Sequence, residues 1–332
     1  MISKKERLEA VIRGEKPDRL PVAFWHHFPV DDQTPEHLSE ATLSYQKTYD
    51  NDFVKVSPTD EYMIHPFGTK TVWTGDPRGC RIYQERLIKK PEDWKKIRPL
   101  DPNEGTLGDY LKTLQDVGKG LGSDTPFVAT LFGPLNQAKN LAGFDLMVEH
   151  LHRYPEYICP ALKIMSENTV RFAQAALSTG ISGFFYALEN INYRYFDDAS
   201  YDKFGKSYDL EILDVGKSLW LNILHHHGEA ILFNLAVDYP VQAVQWHALE
   251  SGPSLHEAKT LFKGQQKAIL GGLQRKSTLL TGTPADIISE AKKSVEEVDG
   301  SGFILGPGCM LMMNTPRINI LTIRSFVDEK YQ

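Results

Sequence analysis

Two histidines two residues apart, His225 and His227, run into Gly228, and a third sulfur-or-nitrogen donor, Cys309, follows Pro307-Gly308. On an extended segment residues i and i+2 share a face, so both imidazoles point the same way. His226 then points oppositely, toward the helical layer. Two imidazoles and one thiolate are a chemically sound zinc set, and three protein ligands leave a fourth position for water or substrate. His225, His227 and Cys309 are therefore the candidate metal ligands. Plainer readings stand beside this one. A His-x-His pair can simply hydrogen-bond at a rim, and cysteine is often a small buried hydrophobe. Cys80 and Cys159 are read in that plainer way.

Asp60 and Glu189 each follow an apolar run, where a carboxylate can serve as an acid/base or substrate-positioning group. Either could instead cap a helix. His26, His27, His247, Gln274 and Tyr193 are candidates for contacting substrate. The plainer alternatives are core-edge histidines for His26 and His27, and packing for Tyr193 with Tyr195 and Phe196. The segment from Ser277 to Thr283 has one glycine and no Gly-Lys-Ser/Thr, so it is not a P-loop.

These residues need elements to hold them. Ser3 and Glu6 have capping-box spacing, with Leu8, Val11 and Ile12 as an apolar stripe ended by Gly14 and Pro17. Strands are predicted at 20–25, 53–56, 126–132, 183–188, 220–224, 243–246, 268–273 and 302–305. Helical stretches are expected over 29–52, 145–178 and 200–216, after Gly228, from Ser254, from the Thr283-Pro-Ala-Asp286 cap and from Thr315. Residues 68–108 read as an excursion from this rhythm. Eight strands, the later ones alternating with helices, imply parallel strands with helical crossovers. The fold class is α/β. A single (β/α)8 barrel of about 250 residues, with an N-terminal helical extension within 1–50, accounts for the length. A doubly wound sheet is the runner-up, but no Gly-x-Gly-x-x-Gly follows an early strand. In a barrel, chemistry gathers at the C-terminal strand ends. Five of the eleven histidines and one of the three cysteines fall on that one rim, not counting His226.

Composition narrows the class. The chain has 332 residues, 41% hydrophobic and 24% charged, as globular proteins have. A net charge of −6 is a poor match for duplex nucleic acid. Three widely spaced cysteines do not make a secreted disulfide scaffold, and a reducing cytoplasm is the simplest setting. Neither a signal-peptide core nor an apolar run of about 18 residues is present, so no membrane role is expected.

At motif level the chain resembles the uroporphyrinogen decarboxylase superfamily from about residue 3 to 328. The opening from Arg7 to Val22, the Phe132-Gly-Pro-Leu135 element, and Ile269-Leu-Gly-Gly-Leu-Gln274 followed by Gly282-Thr-Pro284 are similar to its signatures. The resemblance implies a (β/α)8 barrel, often a homodimer, acting on a small molecule. True decarboxylases of the superfamily carry an arginine-containing segment after the first strand that holds substrate carboxylates. Here that stretch is Trp25-His-His-Phe-Pro29, and Gly306-Pro-Gly308 stands for their Gly-His-Gly. Asp60 matches their acidic residue after the second strand. The zinc-dependent methyltransferase branch, which acts on thiols or corrinoid proteins, carries His-x-Cys-Gly and Pro-Gly-Cys. This chain has His225-His-His227-Gly228 and Pro307-Gly-Cys309, with His227 in place of a cysteine. The resemblance thus implies zinc and methyl or alkyl transfer, with a corrinoid protein as a partner. The alternatives are uroporphyrinogen decarboxylation, which needs no cofactor, and non-catalytic binding of a small molecule.

Overall fold

The computed structural model describes residues 2–329. Nine strands form among them: β1 (Val54–Val56), β2 (Lys70–Val72), β3 (Ile82–Glu85), β4 (Phe127–Phe132), β5 (Gly183–Glu189), β6 (Ile223–His227), β7 (Ala243–Trp246), β8 (Ala268–Leu273) and β9 (Phe303–Pro307). Seven of them make one parallel sheet in the order β1-β4-β5-β6-β7-β8-β9, and β2 and β3 form a separate antiparallel hairpin. Helices link the parallel strands, as the alternation predicts.

Residues 20–25 close the sheet into a (β/α)8 barrel, but not as the regular strand expected. They make a single parallel bridge, Val22 to Leu305. On the β9 side Ala23 N–H donates to Leu305 O (3.2 Å) and Leu305 N–H to Pro21 O (2.9 Å). On the β1 side the Asp52 carboxylate accepts from Val22 N–H (2.8 Å) and the Asn51 side-chain carbonyl from Phe24 N–H (2.9 Å). Pro21 has no N–H to give, and these two side chains stand in for ladder carbonyls. Asp52 is fully buried and also binds the Arg7 and Arg19 guanidiniums at 2.8 Å each. The opening signature from Arg7 to Val22 is therefore a staple at the barrel seam.

Inward-facing positions divide by height. Phe53, Val128, Phe185, Ile223, Ala243, Ala268, Leu270 and Ile304 form an apolar floor, against which Leu8, Val11 and Ile12 of the first helix (Lys4–Ile12) pack. One pleat higher the same strands turn polar: Phe53 gives way to Lys55, Ile223 to His225 and His227, and Ala243 to Gln245. The outward positions pack against the surrounding helices in a second, larger cluster.

Several element boundaries move. The strand expected at 220–224 lies at 223–227, so His225 to His227 are on the strand itself. Asn222 delays it, because its Oδ1 accepts Phe184 N–H (3.0 Å) and its amide nitrogen holds Gly216 O (2.8 Å). The stretch 145–178 divides into Phe144–Arg153 and Pro155–Ala176, since Tyr154 precedes a proline and leaves the helical region. The 68–108 excursion holds the β2–β3 hairpin and a 3-10 helix at Pro91–Lys96, and its end already belongs to a helix, Gly105–Leu121. Glycines at 105, 108, 118 and 120 blur that helix in the sequence. The capping boxes at Ser3, Ser254 and Thr283 form as spaced.

Candidate metal centre

The alternation of β6 places His225 and His227 on the inner face and sends His226 outward, where its Nε2 lies 2.8 Å from Ile191 O. Cys309 follows β9, which is separated from β6 by β7 and β8. Two glycine features let it cross. Gly308 passes so close to the end of β7 that a Cβ there would lie 2.7 Å from Trp246 O. At Gly271 a side chain would meet nothing within 4 Å, so the interior above β8 is open. Across that opening Gln245 Nε2 donates to Pro307 O at 2.7 Å.

The result is a convergence of donors. Cys309 Sγ lies 3.5 Å from His225 Nε2 and 3.5 Å from His227 Nδ1. His247 Nε2 lies 3.0 Å from His227 Nδ1. The four ligand atoms of His225, His227, His247 and Cys309 all lie within 4.8 Å of one another. Tetrahedral zinc with sulfur at about 2.3 Å and nitrogen at about 2.0–2.1 Å holds S and N about 3.5 Å apart. The donor types and both S···N separations therefore fit zinc. His247 Nδ1 faces Glu250 at 3.5 Å, the carboxylate–histidine arrangement that aims the other ring nitrogen at a metal. Burial pushes the Cys309 thiol up, but His225 and His227 outweigh it and hold the group well below the usual thiol range. It is poised as a thiolate.

These donors open on a cavity of about 340 Å³. Opposite them stand Asp60, Lys139 and Glu189. Glu189 pairs with Lys139; burial raises its carboxyl, but Lys139 and His227 bring it below the ordinary value. Asp60, a quarter exposed, lies 3.8 Å from His27 Nε2. Burial and then Glu189 push its carboxyl up to about 7, against Lys55 and Lys139. Burial lowers Lys55 to about 8, opposed by Asp60. The cavity thus sets a carboxyl that holds its proton more tightly than usual beside a fixed anion.

The expected site residues separate into two groups. Asp60, Glu189, His27, His225, His227 and Cys309 line this cavity, and His247 joins the donor cluster. The other three substrate-contact candidates lie elsewhere. His26 packs tilted against Phe28 and edge-on to Tyr45 with its Nδ1 2.6 Å from His27 O, because successive residues point to opposite faces. Tyr193 is 51% exposed and its hydroxyl meets Asp198. Gln274 turns back to Ser277. Lys55, Lys139 and Arg275 also line the cavity, though sequence reasoning does not single them out. Lys55 carries a signal: it is a lone charge within the otherwise apolar Phe53–Val56 run.

Residues 3–330 match the family described as uroporphyrinogen decarboxylase (URO-D). The chain is 24% identical to the methylcobamide:CoM methyltransferase MtbA of Methanosarcina acetivorans, and 23% to MtbA of Methanosarcina mazei, each over 95% of both chains. A solved structure of a methyltransferase from Methanosarcina mazei superposes with a TM-score of 0.86 at 20% identity, covering 100% of both chains. A B12-independent methionine synthase from Shewanella sp. W3-18-1 superposes at 0.59 and 12% identity over 95% of each. Among the described residues no helix is long and apolar enough to cross a membrane.

Proposed function

The chain belongs to the uroporphyrinogen decarboxylase family, and from that membership and the rim geometry we propose that it is a zinc-dependent methyltransferase, moving a methyl group from a corrinoid carrier to a small thiol or related acceptor. The observation that carries this reading is the convergence of His225, His227, His247 and Cys309, three of which line the cavity. The corrinoid donor and thiol acceptor are taken from the names of relatives that span 95% of the chain. A bound zinc would supply a Lewis acid that lowers the pKa of a coordinated heteroatom and keeps it nucleophilic.

The chain's own residues do the rest. His225, His227 and Cys309 are the resident donors, and His247, held through Glu250, stands at the fourth position, which it would yield to the acceptor's heteroatom. Asp60, with a carboxyl near 7, is at hand to take the proton an acceptor gives up. Glu189 stays ionised beside Lys139. The apolar floor of Phe185 and Trp25 excludes water beneath the donors. We assign this chemistry to a cytoplasmic homodimer, whose assembly sedimentation would establish.

Metal analysis together with single-turnover transfer from methylcobalamin to a thiol tests the proposal. The expected result is about one zinc per chain and a methylated thiol, with both lost in Cys309→Ala. A protein that binds no zinc and transfers no methyl group overturns it. Conversion of uroporphyrinogen to coproporphyrinogen would instead establish the decarboxylase alternative, and tight ligand binding without product the non-catalytic one.

A further inference from the structure

Lys55 is a nucleophilic side chain to which the methyl-transfer reading gives no task. It is the middle residue of β1, between the buried Val54 and Val56, and its own side chain is half-buried and lines the cavity. Its Nζ donates to Ser57 Oγ at 2.9 Å. It lies over the Phe185 ring, 4.8 Å from the centroid, and 5.9 Å from that of Trp25. Among the described residues Lys55 forms no ion pair. The other lysines of the cavity differ: Lys139 is paired with Glu189, and Lys276 is exposed to water.

An ammonium taken out of water without a counter-charge is disfavoured, and the neutral amine gains by the same amount. Burial lowers Lys55 to about 8, against the pull of Asp60, Cys309 and Glu189. A desolvated lysine that opens on a cavity can attack the carbon of a carbonyl group. Loss of water from the first adduct then needs an acid. Asp60 lines the same cavity and holds its proton more tightly than an ordinary carboxyl. The rings nearest the amine, Phe185 and Trp25, suit an apolar body beside the reacting carbon. A cavity of about 340 Å³ has room for one small molecule of that kind.

We propose that Lys55 is a covalent site for small aldehydes with an apolar body, captured as an imine with Asp60 as the acid. The Nζ lone pair forms the C–N bond, and one N–H proton passes to the carbonyl oxygen to give a carbinolamine. Asp60 protonates that hydroxyl, the C–O bond breaks and water leaves. The nitrogen lone pair closes the C=N bond, and the remaining N–H proton returns to Asp60. Amine and aldehyde thus give an imine and one water, with no oxidant or reductant. The step uses neither a metal nor a methyl donor, so it stands or falls apart from the methyl-transfer reading.

Benzaldehyde together with sodium cyanoborohydride, which reduces an imine to a stable secondary amine, tests this on the full native chain. Peptide mass mapping over a time course locates each N-benzyl group. Lys55 is expected to be labelled about 10-fold or more faster than Lys70, an exposed lysine of the β2–β3 hairpin. Labelling of Lys55 no faster than of Lys70 overturns the proposal, and this comparison needs no variant to fold. Lys55→Arg, which keeps the charge, is expected to lose the fast label while Lys70 reacts as before. A fast label that persists in this variant also overturns the proposal. Asp60→Asn is expected to slow labelling of Lys55 by about 10-fold or more, with Lys70 unchanged. An undiminished rate there overturns the part given to Asp60.

Discussion

Cys309 Sγ and His225 Nε2 face each other at 3.5 Å, although they are 84 residues apart and two strands stand between their own. That contact is the heart of the donor set, and it exposes the set to a direct test. Cys309→Ser keeps the size of the side chain and removes the thiolate. Zinc affinity is expected to fall by more than the about 10- to 100-fold that follows loss of an outer partner, with the metal-free melting temperature little changed. Metal titration against a chromophoric chelator reads the outcome, and undiminished affinity would exclude Cys309 as a ligand.

Glu250 is such an outer partner, 3.5 Å from His247 Nδ1. Glu250→Gln keeps an acceptor but loses the charge. A drop of about 10- to 100-fold in zinc affinity is expected, measured in the same titration. A variant that binds zinc like the native chain would show that His247 is not aimed by this carboxylate.

Gln245 is a positioning residue. Its amide spans the opening above β8 to hold Pro307 O at 2.7 Å, two residues before Cys309. Gln245→Ala leaves that buried carbonyl unpaired, at a cost of about 1–3 kcal/mol in stability. A purely structural role ends there. If Gln245 also sets the thiolate, the thiolate-to-metal absorption band of the cobalt-substituted variant shifts or broadens, and an unchanged band would confine Gln245 to stability.

The Asp60 carboxyl, pushed up to about 7 by burial and Glu189, binds its proton more tightly folded than unfolded. Its contribution to stability is therefore fullest below the ordinary carboxyl range near 4, is lost as pH rises through about 7, and is flat above. Asp60→Asn removes the dependence, so the variant should gain on the native protein between pH 4 and 7. Chemical denaturation at several pH values reads this difference. A gap that does not widen across the window would mean that Asp60 ionises normally.

Asp52 carries the seam: it binds Arg7, Arg19 and Val22 N–H while fully buried. Asp52→Asn takes the fully buried charge from Arg7 and Arg19, leaving them Asp18 and Asp328, both more exposed, as partners. A loss of about 3–5 kcal/mol is expected by equilibrium unfolding, without a change in the zinc bound per folded chain. A loss below about 1 kcal/mol, the range of exposed pairs, would show the network to be dispensable.

Much of the framework is legible in the sequence because it is local. Capping boxes at Ser3, Ser254 and Thr283 depend on residues three apart, and the buried strands on short apolar runs. The resemblance of the Arg7–Val22 stretch marks the family but not the task of those residues, which is clear only with Arg7 and Arg19 placed on Asp52. The first strand misleads because Asn51 and Asp52 supply by side chain what a ladder supplies by backbone, and no periodicity records that. Tyr193, His26 and Gln274 qualify as candidates by standing after strands, but their side chains turn to local partners instead.

Donor types and their facing are written along the chain: a two-residue period on β6 is enough to put His225 and His227 together and send His226 away. Which groups meet them is not. His247 and Cys309 arrive from other strands, through barrel curvature, the close approach of Gly308 and the gap at Gly271. That Arg275 has no ion-pair partner among the described residues is likewise invisible in one dimension, because pairing depends on which of 43 acidic residues lies within reach. Local spacing fixes direction along a strand, whereas distance across a barrel is set only when the strands close.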